Sequence, residues 1–190
     1  MTLWFTSDSH FFHKNIIELG KRPFQSVDEM NETIVSNWNK LVRPEDIVYH
    51  MGDVSFGNRA LTKELLDKLH GTIRLIQGNH DMKNAVLKKG CVERFEWVKD
   101  IYFLKVPDPD GPDGKTQGIM LCHYPIMSWN QMHYGTWHLH GHCHGTLPMD
   151  MTKKRMDVGV DPNFFKPLSY ERIKEIMARR KFEPVDHHGR

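Results

Sequence analysis

Short apolar runs alternate with amphipathic segments through the first half of the chain. Three runs, at residues 3–6, 46–51 and 72–76, have the length and composition of buried strands. The segments between them carry apolar residues at helical spacing, which predicts helices there. Strands and helices that alternate in this way form parallel sheets with crossover helices.

Capping residues set the predicted helix boundaries. Ser26, with Glu29 three residues later, is a capping box, and Pro44 ends the helix that begins there. We expect three more helices in this half, at residues 14–19, 59–69 and 82–89. The apolar faces of the two longer helices are predicted to be Met30, Ile34, Trp38 and Leu41, and Leu61, Leu65, Leu66 and Leu69.

The pattern changes after residue 91. Residues 92–99 and 101–106 indicate two neighbouring strands in a hairpin or meander, followed by an exposed Pro- and Gly-rich loop at 107–118. Further strands are predicted at 118–122, 137–140 and 155–160. Ser169 is expected to cap a final helix that reaches Arg180, and the tail, residues 183–190, is expected to be frayed.

Composition narrows the class of protein. A chain of 190 residues with no linker or repeat suits one domain spanning 1–190. A net charge of +2 gives little support to a polyanion partner, so no strong nucleic-acid signal is present. Three unpaired cysteines, no signal peptide and no apolar run of membrane-spanning length predict a cytoplasmic protein that does not enter a membrane.

Histidine is the compositional anomaly, and its placement follows the strands. The chain has 13 histidines, roughly three times an ordinary share. Together with carboxylates and one amide they cluster where apolar runs end, at Asp8, His10, Asp53, Asn79, His123, His142 and His144. In the Asp-x-His and His-x-His pairs, the two-residue period of a strand predicts that both side chains face one side. These ligand types suit manganese, iron or zinc, and seven ligands fit two ions that share a carboxylate.

At this point the residues resemble a known family. Asp8-x-His10, Gly52-Asp53, Gly78-Asn79-His80-Asp81, His123 and Gly141-His142-x-His144 resemble, in the same order, the motifs of calcineurin-like metallophosphoesterases, over residues 3 to about 160. The chain is most similar to the small bacterial or phage-type members. The resemblance implies an α/β fold, a two-sheet β-sandwich flanked by helices on both faces.

The resemblance also implies roles for particular positions. One metal ion would be held by Asp8, His10, Asp53 and His144, and the other by Asp53, Asn79, His123 and His142, with Asp53 bridging. A hydroxide between the ions would attack phosphorus in line. His80 is the candidate to protonate the leaving oxygen or bind a phosphate oxygen, with Asp81 orienting its ring. Mn²⁺ is the expected ion, with iron or Zn²⁺ as the alternatives.

The expected function is phosphodiester hydrolysis on nucleotides or similar small esters, 2′,3′-cyclic phosphates included. A phosphomonoesterase is the alternative, followed by a non-catalytic scaffold of the same fold; a nuclease would want a basic track that the chain lacks. Arg22 could contact a phosphate or be a solvated charge, and Trp129, His133 and Tyr134 could stack on a base or cover the core. His50 and His140 are candidate hydrogen-bond donors to ligands, whereas His13 and the remaining histidines are expected to be ordinary surface or core residues.

Overall fold

A computed structural model describes residues 1–148 and 150–183 of the chain. Apart from Glu183, the tail that was predicted to be frayed lies outside the described residues. The strands are β1 Leu3–Thr6, β2 Ile47–His50, β3 Thr72–Ile76, β4 Phe95–Lys99, β5 Ile101–Pro107, β6 Thr116–Cys122, β7 Trp137–His140, β8 Arg155–Asp157 and β9 Leu168–Ser169. The α-helices are α1 Ile16–Leu19, α2 Val27–Leu41, α3 Arg59–Lys68 and α4 Tyr170–Ala178.

The strands form two mixed sheets. The first has the order β4-β3-β2-β1-β9, in which β1 to β4 are mutually parallel and β9 is antiparallel. The second has the order β5-β6-β7-β8, in which β6, β7 and β8 are parallel and β5 is antiparallel. The predicted α/β class with two sheets and helices is therefore confirmed. Each sheet presents the carboxyl ends of several parallel strands, where α/β proteins place their sites.

Apolar side chains fill three layers of this arrangement. Helices α2 and α3 pack Met30, Trp38 and Leu66 on the outer face of the first sheet. Between the sheets lies a second core, which includes Phe5 from β1 and Leu121 from β6. The outer face of the second sheet is covered by residues 126–136, which include a short 3-10 helix, Met132–Tyr134. The two sheets are thus held rigidly enough to position residues at their ends.

The predicted capping residues account for where the main helices begin. Ser26 Oγ accepts a hydrogen bond from the N–H of Glu29 at 3.1 Å, and Ser169 Oγ accepts one from Arg172 at 3.2 Å. In a capping box the Glu29 side chain would accept a hydrogen bond from the N–H of Ser26. Here Glu29 Oε2 accepts instead from the N–H of Gln25. Leu41 and Leu61 are exposed, since each lies at the margin of its helix's apolar face.

Two predictions about the middle of the chain are wrong. Residues 82–89 form turns and a 3-10 helix, Ala85–Leu87, so no α-helix follows β3. Strands β4 and β5 are not a hairpin: β4 pairs in parallel with β3, and β5 pairs with β6 in the other sheet. An apolar alternation records which residues are buried but not which strand lies beside them, so a crossing between sheets looks like a hairpin.

The short strand β9 was not predicted. It contributes only two residues to the first sheet, pairing with Trp4 and Phe5, and two residues carry no detectable period. None of the helices in the described part of the chain has the length and apolar character needed to cross a membrane.

Candidate metal centre

The seven predicted ligands converge at one site between the two sheets. They follow the carboxyl ends of β1, β2, β3, β6 and β7, which all point to this edge of the molecule. Asp53 lies in the middle: its Oδ2 atom is 3.6 Å from Nε2 of His10 and 3.6 Å from Nε2 of His123. One carboxylate oxygen therefore faces imidazoles from two different sheets.

Two groups of side chains surround this carboxylate. On one side, Asp8 Oδ1 is 4.0 Å from His10 Nε2 and 3.9 Å from His144 Nε2. On the other, Asn79 Oδ1 is 2.9 Å from His123 Nε2 and 3.1 Å from His142 Nδ1.

Two triples bring carboxylate and imidazole atoms within 4.8 Å of one another, the spacing at which a metal ion could be held. They are Asp8, His10 and His144, and Asp8, Asp53 and His123. Asp8 belongs to both triples, so its carboxylate, like that of Asp53, lies near the junction of the two groups.

The chemistry of the donor set fits cations. His10 Nε2 is enclosed and has no hydrogen-bond partner among the described residues, which is costly for a polar atom unless a ligand binds it. Burial lowers the pKa of His10, so its ring is neutral, the form that ligates metals. Burial raises the pKa of Asp8 to about 8, because an enclosed carboxylate loses the water that stabilises its charge.

The backbone at these positions differs from the expected extended conformation. Five of the predicted ligands are in the left-handed region, with φ of 54° at Asp8, 50° at His10, 57° at Asp53, 68° at His142 and 48° at His144. The argument from strand period was therefore wrong, although the side chains do converge. Such conformations cost about 1–3 kcal/mol each and are typical of functional sites. Aspartate and histidine are among the residues that tolerate them best.

Close backbone packing explains two of the motif glycines. A Cβ atom on Gly52, where φ is +92°, would lie 2.4 Å from the backbone nitrogen of Gly78. A Cβ atom on Gly78 would lie 2.3 Å from Oδ1 of Asp53. The turn after β2 and the turn after β3 therefore touch where both residues lack side chains, and this contact brings Asp53 to the centre.

Asp81 holds the same two turns together. Its carboxylate accepts hydrogen bonds from the N–H groups of Asp53 at 2.9 Å, Val54 at 2.9 Å and Gly78 at 2.8 Å. Both oxygens are used in this way, and no hydrogen bond joins Asp81 to the His80 ring in the described structure. The expectation that Asp81 orients His80 is therefore not supported. Asp81 instead positions the backbone of the metal-centre turns.

His80 is the accessible imidazole at the mouth of the centre. Its side chain is 42% exposed, and Nε2 is 4.0 Å from Asp53 Oδ2. The backbone N–H of His80 donates to Asp53 Oδ1 at 2.9 Å, so the backbone that carries the imidazole is held next to Asp53. The ring lies against Phe56, with centroids 4.9 Å apart. This position leaves His80 free to contact a molecule bound at the centre.

Arg22 is buried rather than available to a phosphate. Its Nε and Nη2 donate to Asp161 at 2.8 and 2.9 Å, and Nη2 and Nη1 also donate to the carbonyls of Asp8 and Ser9. All the guanidinium nitrogens are thus engaged within the protein, so the suggested contact with substrate does not agree with the structure. Arg22 braces the left-handed turn that carries Asp8 and His10.

Asp161 is a residue of the site that the sequence reasoning missed. Its Oδ2 is 2.7 Å from Nδ1 of His144, on the opposite side of the ring from the predicted metal-binding Nε2. Burial acts to lower the pKa of His144, but this hydrogen bond and the charge of Asp8 outweigh it and raise the pKa. A carboxylate that orients a ligand histidine in this way is common in metal sites. Its position four residues after β8 was the available signal, since the other ligands also follow strand ends.

Two other aromatic residues lie beside the ligands: His13, which was expected to be an ordinary surface or core residue, and Tyr124, which was given no role. His13 Nδ1 is 3.0 Å from His10 Nδ1, and its ring stacks on Phe56 with centroids 4.0 Å apart. Tyr124 is 45% exposed, and its ring packs edge-on against His142 and His123 at 4.8 and 5.0 Å. The centre is therefore bordered by aromatic rings next to both ligand groups.

His50 and His140 contact the turns rather than the ligand side chains. His50 Nε2 is 2.9 Å from Ser9 Oγ, and His50 Nδ1 accepts the N–H of Gly52 at 3.2 Å. His140 Nδ1 is 2.9 Å from the carbonyl oxygen of Gly141. Contrary to the prediction, neither histidine donates to a ligand side chain in the described structure. Both instead bond to backbone or hydroxyl groups of residues next to the ligands.

Trp129 lies in a different environment from His133 and Tyr134. Trp129 is buried with Met120, and its Nε1 donates to Thr136 Oγ1 at 3.1 Å, so it covers the core. His133 and Tyr134 line a groove beside the second sheet, and none of the predicted metal ligands lines it. Stacking of a base on these residues at the metal centre therefore receives no support.

Comparisons with known proteins agree with this geometry. The sequence model of the family described as calcineurin-like phosphoesterase matches residues 1–187. The uncharacterized protein MJ1445 of Methanocaldococcus jannaschii is 34% identical over 186 residues, which cover 94% of this chain and 93% of that protein. The gene 66 protein of Mycobacterium phage L5 is 28% identical over 182 residues, covering 83% of this chain and 86% of that protein.

A solved structure is also similar over nearly all of the chain. The crystal structure of the protein of unknown function AQ665 from Aquifex aeolicus matches with a TM-score of 0.70 and 25% sequence identity. The match covers 92% of this chain and 98% of that one.

Proposed function

Because this chain belongs to the calcineurin-like phosphoesterase family, we propose that it is a dinuclear-metal-dependent phosphodiesterase acting on nucleotides or similar small diesters. The observation that carries the proposal is the position of Asp53. One of its oxygens lies 3.6 Å from an imidazole of each ligand group, as a carboxylate shared by two ions would. The enclosed, unpartnered Nε2 of His10 supports the same conclusion.

We assign the ligands in two sets that share Asp53. The first set is Asp8, His10, Asp53 and His144, and the second is Asp53, Asn79, His123 and His142. When bound, two divalent cations supply Lewis acidity and a water of lowered pKa for attack on phosphorus. Oxygen and imidazole donors suit Mn²⁺, which we propose as the ion, and they also accept iron and Zn²⁺.

The chain's own residues supply the remaining steps. His80 is exposed at the mouth and fixed through its backbone bond to Asp53, so it can reach a bound ester. We assign to it the proton delivered to the leaving oxygen, or a hydrogen bond to a phosphoryl oxygen. Asp81 and Arg22 hold the turns on which the ligands lie and do not touch the substrate.

The charge at the site favours a diester over a monoester. The guanidinium of Arg22 is already paired with Asp161 and bonded to backbone carbonyls, so this cation does not offset the second charge of a phosphomonoester. A phosphodiester carries a single negative charge and needs less compensation. This argument supports the diesterase, and the monoesterase is the outcome of the test that would contradict it.

The first test uses metal-stripped protein with p-nitrophenyl phosphate and bis-p-nitrophenyl phosphate. We expect added Mn²⁺ to restore hydrolysis, with the diester preferred. Asp53→Asn should reduce kcat by about a hundredfold or more, because the shared ligand is lost. Asp67→Asn is the matched control, since Asp67 is an exposed carboxylate on α3 that pairs with Lys63 on the same helix.

The outcomes separate the alternatives. Preference for the monoester would replace the diesterase by a phosphatase at the same centre. Binding of two ions per chain without hydrolysis of either ester would favour a non-catalytic scaffold. Equal losses in the Asp53 and Asp67 variants would remove the evidence for the shared carboxylate.

A further inference from the structure

A second cavity, of about 620 Å³, lies alongside the edge strand β8. Its walls are β8 itself, one face of α4 with the residues just after it, and two loops at residues 145–148 and 162–164. The volume falls in the range of small-molecule sites, about 300–1,000 Å³. None of the seven predicted metal ligands lines it, so it is distinct from the metal centre.

Positively charged side chains dominate the polar part of the cavity. Arg155, Arg172 and Arg180 line it together with two carboxylates, Asp150 and Asp157. Both carboxylates already accept hydrogen bonds from their own surroundings. Those of Asp150 come from Thr152 at 2.9 and 2.6 Å, and those of Asp157 come from the N–H groups of Gly145 and Gly159 at 2.9 and 2.8 Å.

Arg180 is the informative residue of the three. It is only 8% exposed, and its Nη1 donates to the carbonyls of Lys153 and Arg155. Its Nε is enclosed and has no partner, and no ion pair to Arg180 occurs among residues 1–148 and 150–183. Burial lowers the pKa of this guanidinium, with Asp150 acting in the opposite direction. A buried charge without a counterion is unfavourable, and an anion in the cavity would relieve it.

Apolar side chains make up much of the remaining lining. Phe164 is 81% exposed at the rim, and Leu147, Met156, Leu168 and Ile176 line the cavity with it. Phe164 has a left-handed backbone, with φ of 56°, and follows Asn163, whose side chain donates to the carbonyls of Asp157 and Gly159. The loop therefore holds a large aromatic ring in solvent next to a charged cavity, where a ligand could cover it.

We propose that this cavity binds a small organic anion that joins a sulfonate, carboxylate or phosphate group to an aromatic or apolar body. The anionic group pairs with Arg180 and with Arg172, whose Nη1 also donates to the exposed Glu175 at 2.7 Å. The apolar body covers Phe164. A purely structural role for Arg180, limited to hydrogen bonds with the carbonyls of Lys153 and Arg155, would explain those two bonds but not the cavity or the exposed phenylalanine. The inference does not depend on the proposed hydrolysis.

Binding is tested with 8-anilinonaphthalene-1-sulfonate, an aromatic anion whose fluorescence rises in apolar surroundings. Metal-stripped protein is titrated, so that the metal centre does not compete for the probe and failure of the hydrolase proposal has no bearing. We expect saturable binding with one site per chain. Arg172→Gln and Phe164→Ala should each weaken binding about tenfold, the loss of one charge-assisted or aromatic contact.

The matched control is Arg179→Gln. Arg179 is exposed, lies beside Arg180 in sequence and does not line the cavity, so the same charge is removed elsewhere. The affinity of the Arg179→Gln variant for the probe should equal that of the wild type. Both Arg172 and Phe164 are exposed, so these variants should fold, and an unchanged Tm checks this. Non-saturable binding, wild-type affinity in both cavity variants or an equal loss in Arg179→Gln would overturn the proposal.

Metal-loaded protein then identifies the source of the anion. If the cavity holds the distal part of the ester substrate, the probe raises KM for bis-p-nitrophenyl phosphate without lowering kcat, and Phe164→Ala also raises KM. If it holds a separate ligand, the probe remains bound at saturating ester and KM is unchanged. Either result supports a binding site here. An ester could extend into the cavity, because Gly145 and Pro162 of its wall directly follow His144 and Asp161 of the metal centre.

Discussion

The outer helical layer and the metal-centre turns differ in backbone conformation and in how their buried polar atoms are bonded. In the helical layer, Trp38 and Met30 are buried in regular helix, and the Trp38 ring nitrogen donates to His70 O at 3.0 Å. In the turns, Asp8 and His144 have left-handed backbones, and a buried nitrogen of His10 has no hydrogen-bond partner within residues 1–148 and 150–183. One region supplies stability, and the other holds an arrangement that is unfavourable by itself and that the proposed cations would stabilise. Substitutions should therefore change stability in the first region and metal affinity in the second.

The largest effect should come from truncating the helical layer. Trp38→Ala removes a fully buried side chain and should lower the free energy of unfolding by about 3–5 kcal/mol. Urea denaturation of metal-free protein measures it, with Trp38→Phe as a milder comparison. Below the unfolding transition, Mn²⁺ affinity should stay near the wild-type value. A large loss of metal affinity in the folded variant would break the division between the two regions.

The reverse result is expected at Asp161. Asp161→Asn keeps the side-chain size but loses the charge opposite His144 Nδ1, which should weaken metal binding by about 10- to 100-fold. Chelator competition measures the affinity without any assay of turnover. Because Asp161 also pairs with the buried Arg22, the unfolding free energy of the metal-free variant has to be measured beside it. Unchanged affinity would show that Asp161 serves only the ion pair.

A pH titration separates a third kind of buried group. His138 lies beneath residues 126–136, its Nδ1 3.1 Å from Met120 O and its Nε2 3.2 Å from the N–H of Ile126. Burial lowers its pKa from 6.5 to about 3. The folded state therefore holds it neutral while the unfolded state binds a proton below pH 6.5, so stability falls as the pH drops from 6.5 towards 3.

The expected size follows from the linkage relation. Between pH 6.5 and pH 5, His138 should account for about 1.6 kcal/mol of lost unfolding free energy. Urea denaturation of wild type and His138→Gln at these two pH values measures this share as the difference between the two losses. Equal losses in both proteins would show that His138 does not contribute.

The smallest effect should be at the mouth of the centre. Tyr124→Ala removes the exposed ring that borders His142 and should raise KM for bis-p-nitrophenyl phosphate about three- to tenfold. Tyr124→Phe keeps the ring and should behave as wild type. Metal affinity should not change in either variant, so a loss there would make Tyr124 part of the metal-centre packing rather than a substrate contact.

Much of this picture could be read from the sequence because it depends on local patterns. The parallel strands β1, β2 and β3 follow from apolar runs separated by amphipathic helices, and the caps at Ser26 and Ser169 follow from residue type. The seven proposed ligands could be picked out because each polar cluster ends an apolar run, and the structure brings these side chains together. The same approach failed for β4 and β5, since no local pattern records that the chain crosses between sheets at Asp100.

The roles of individual polar residues were harder to predict. Arg22 looked like a loop cation, but 139 residues separate it in sequence from Asp161, with which it pairs. Asp81 follows His80 directly, yet its carboxylate turns to the backbone of the neighbouring strand's turn. Adjacency in sequence gave no information about either contact, because a hydrogen bond depends on direction in space.

The sequence by itself determined the family, the α/β class and the seven side chains that we propose as metal ligands, because these are carried by residue types and by short-range periodicity. Only the tertiary structure decided how the chain holds them. The ligand turns adopt left-handed conformations. They are held by contacts between segments that follow different strands, such as Gly52 with Gly78 and Arg22 with Asp161. The packing of the two sheets brings these segments together, and neither sheet alone contains the information that places Asp53 between His10 and His123.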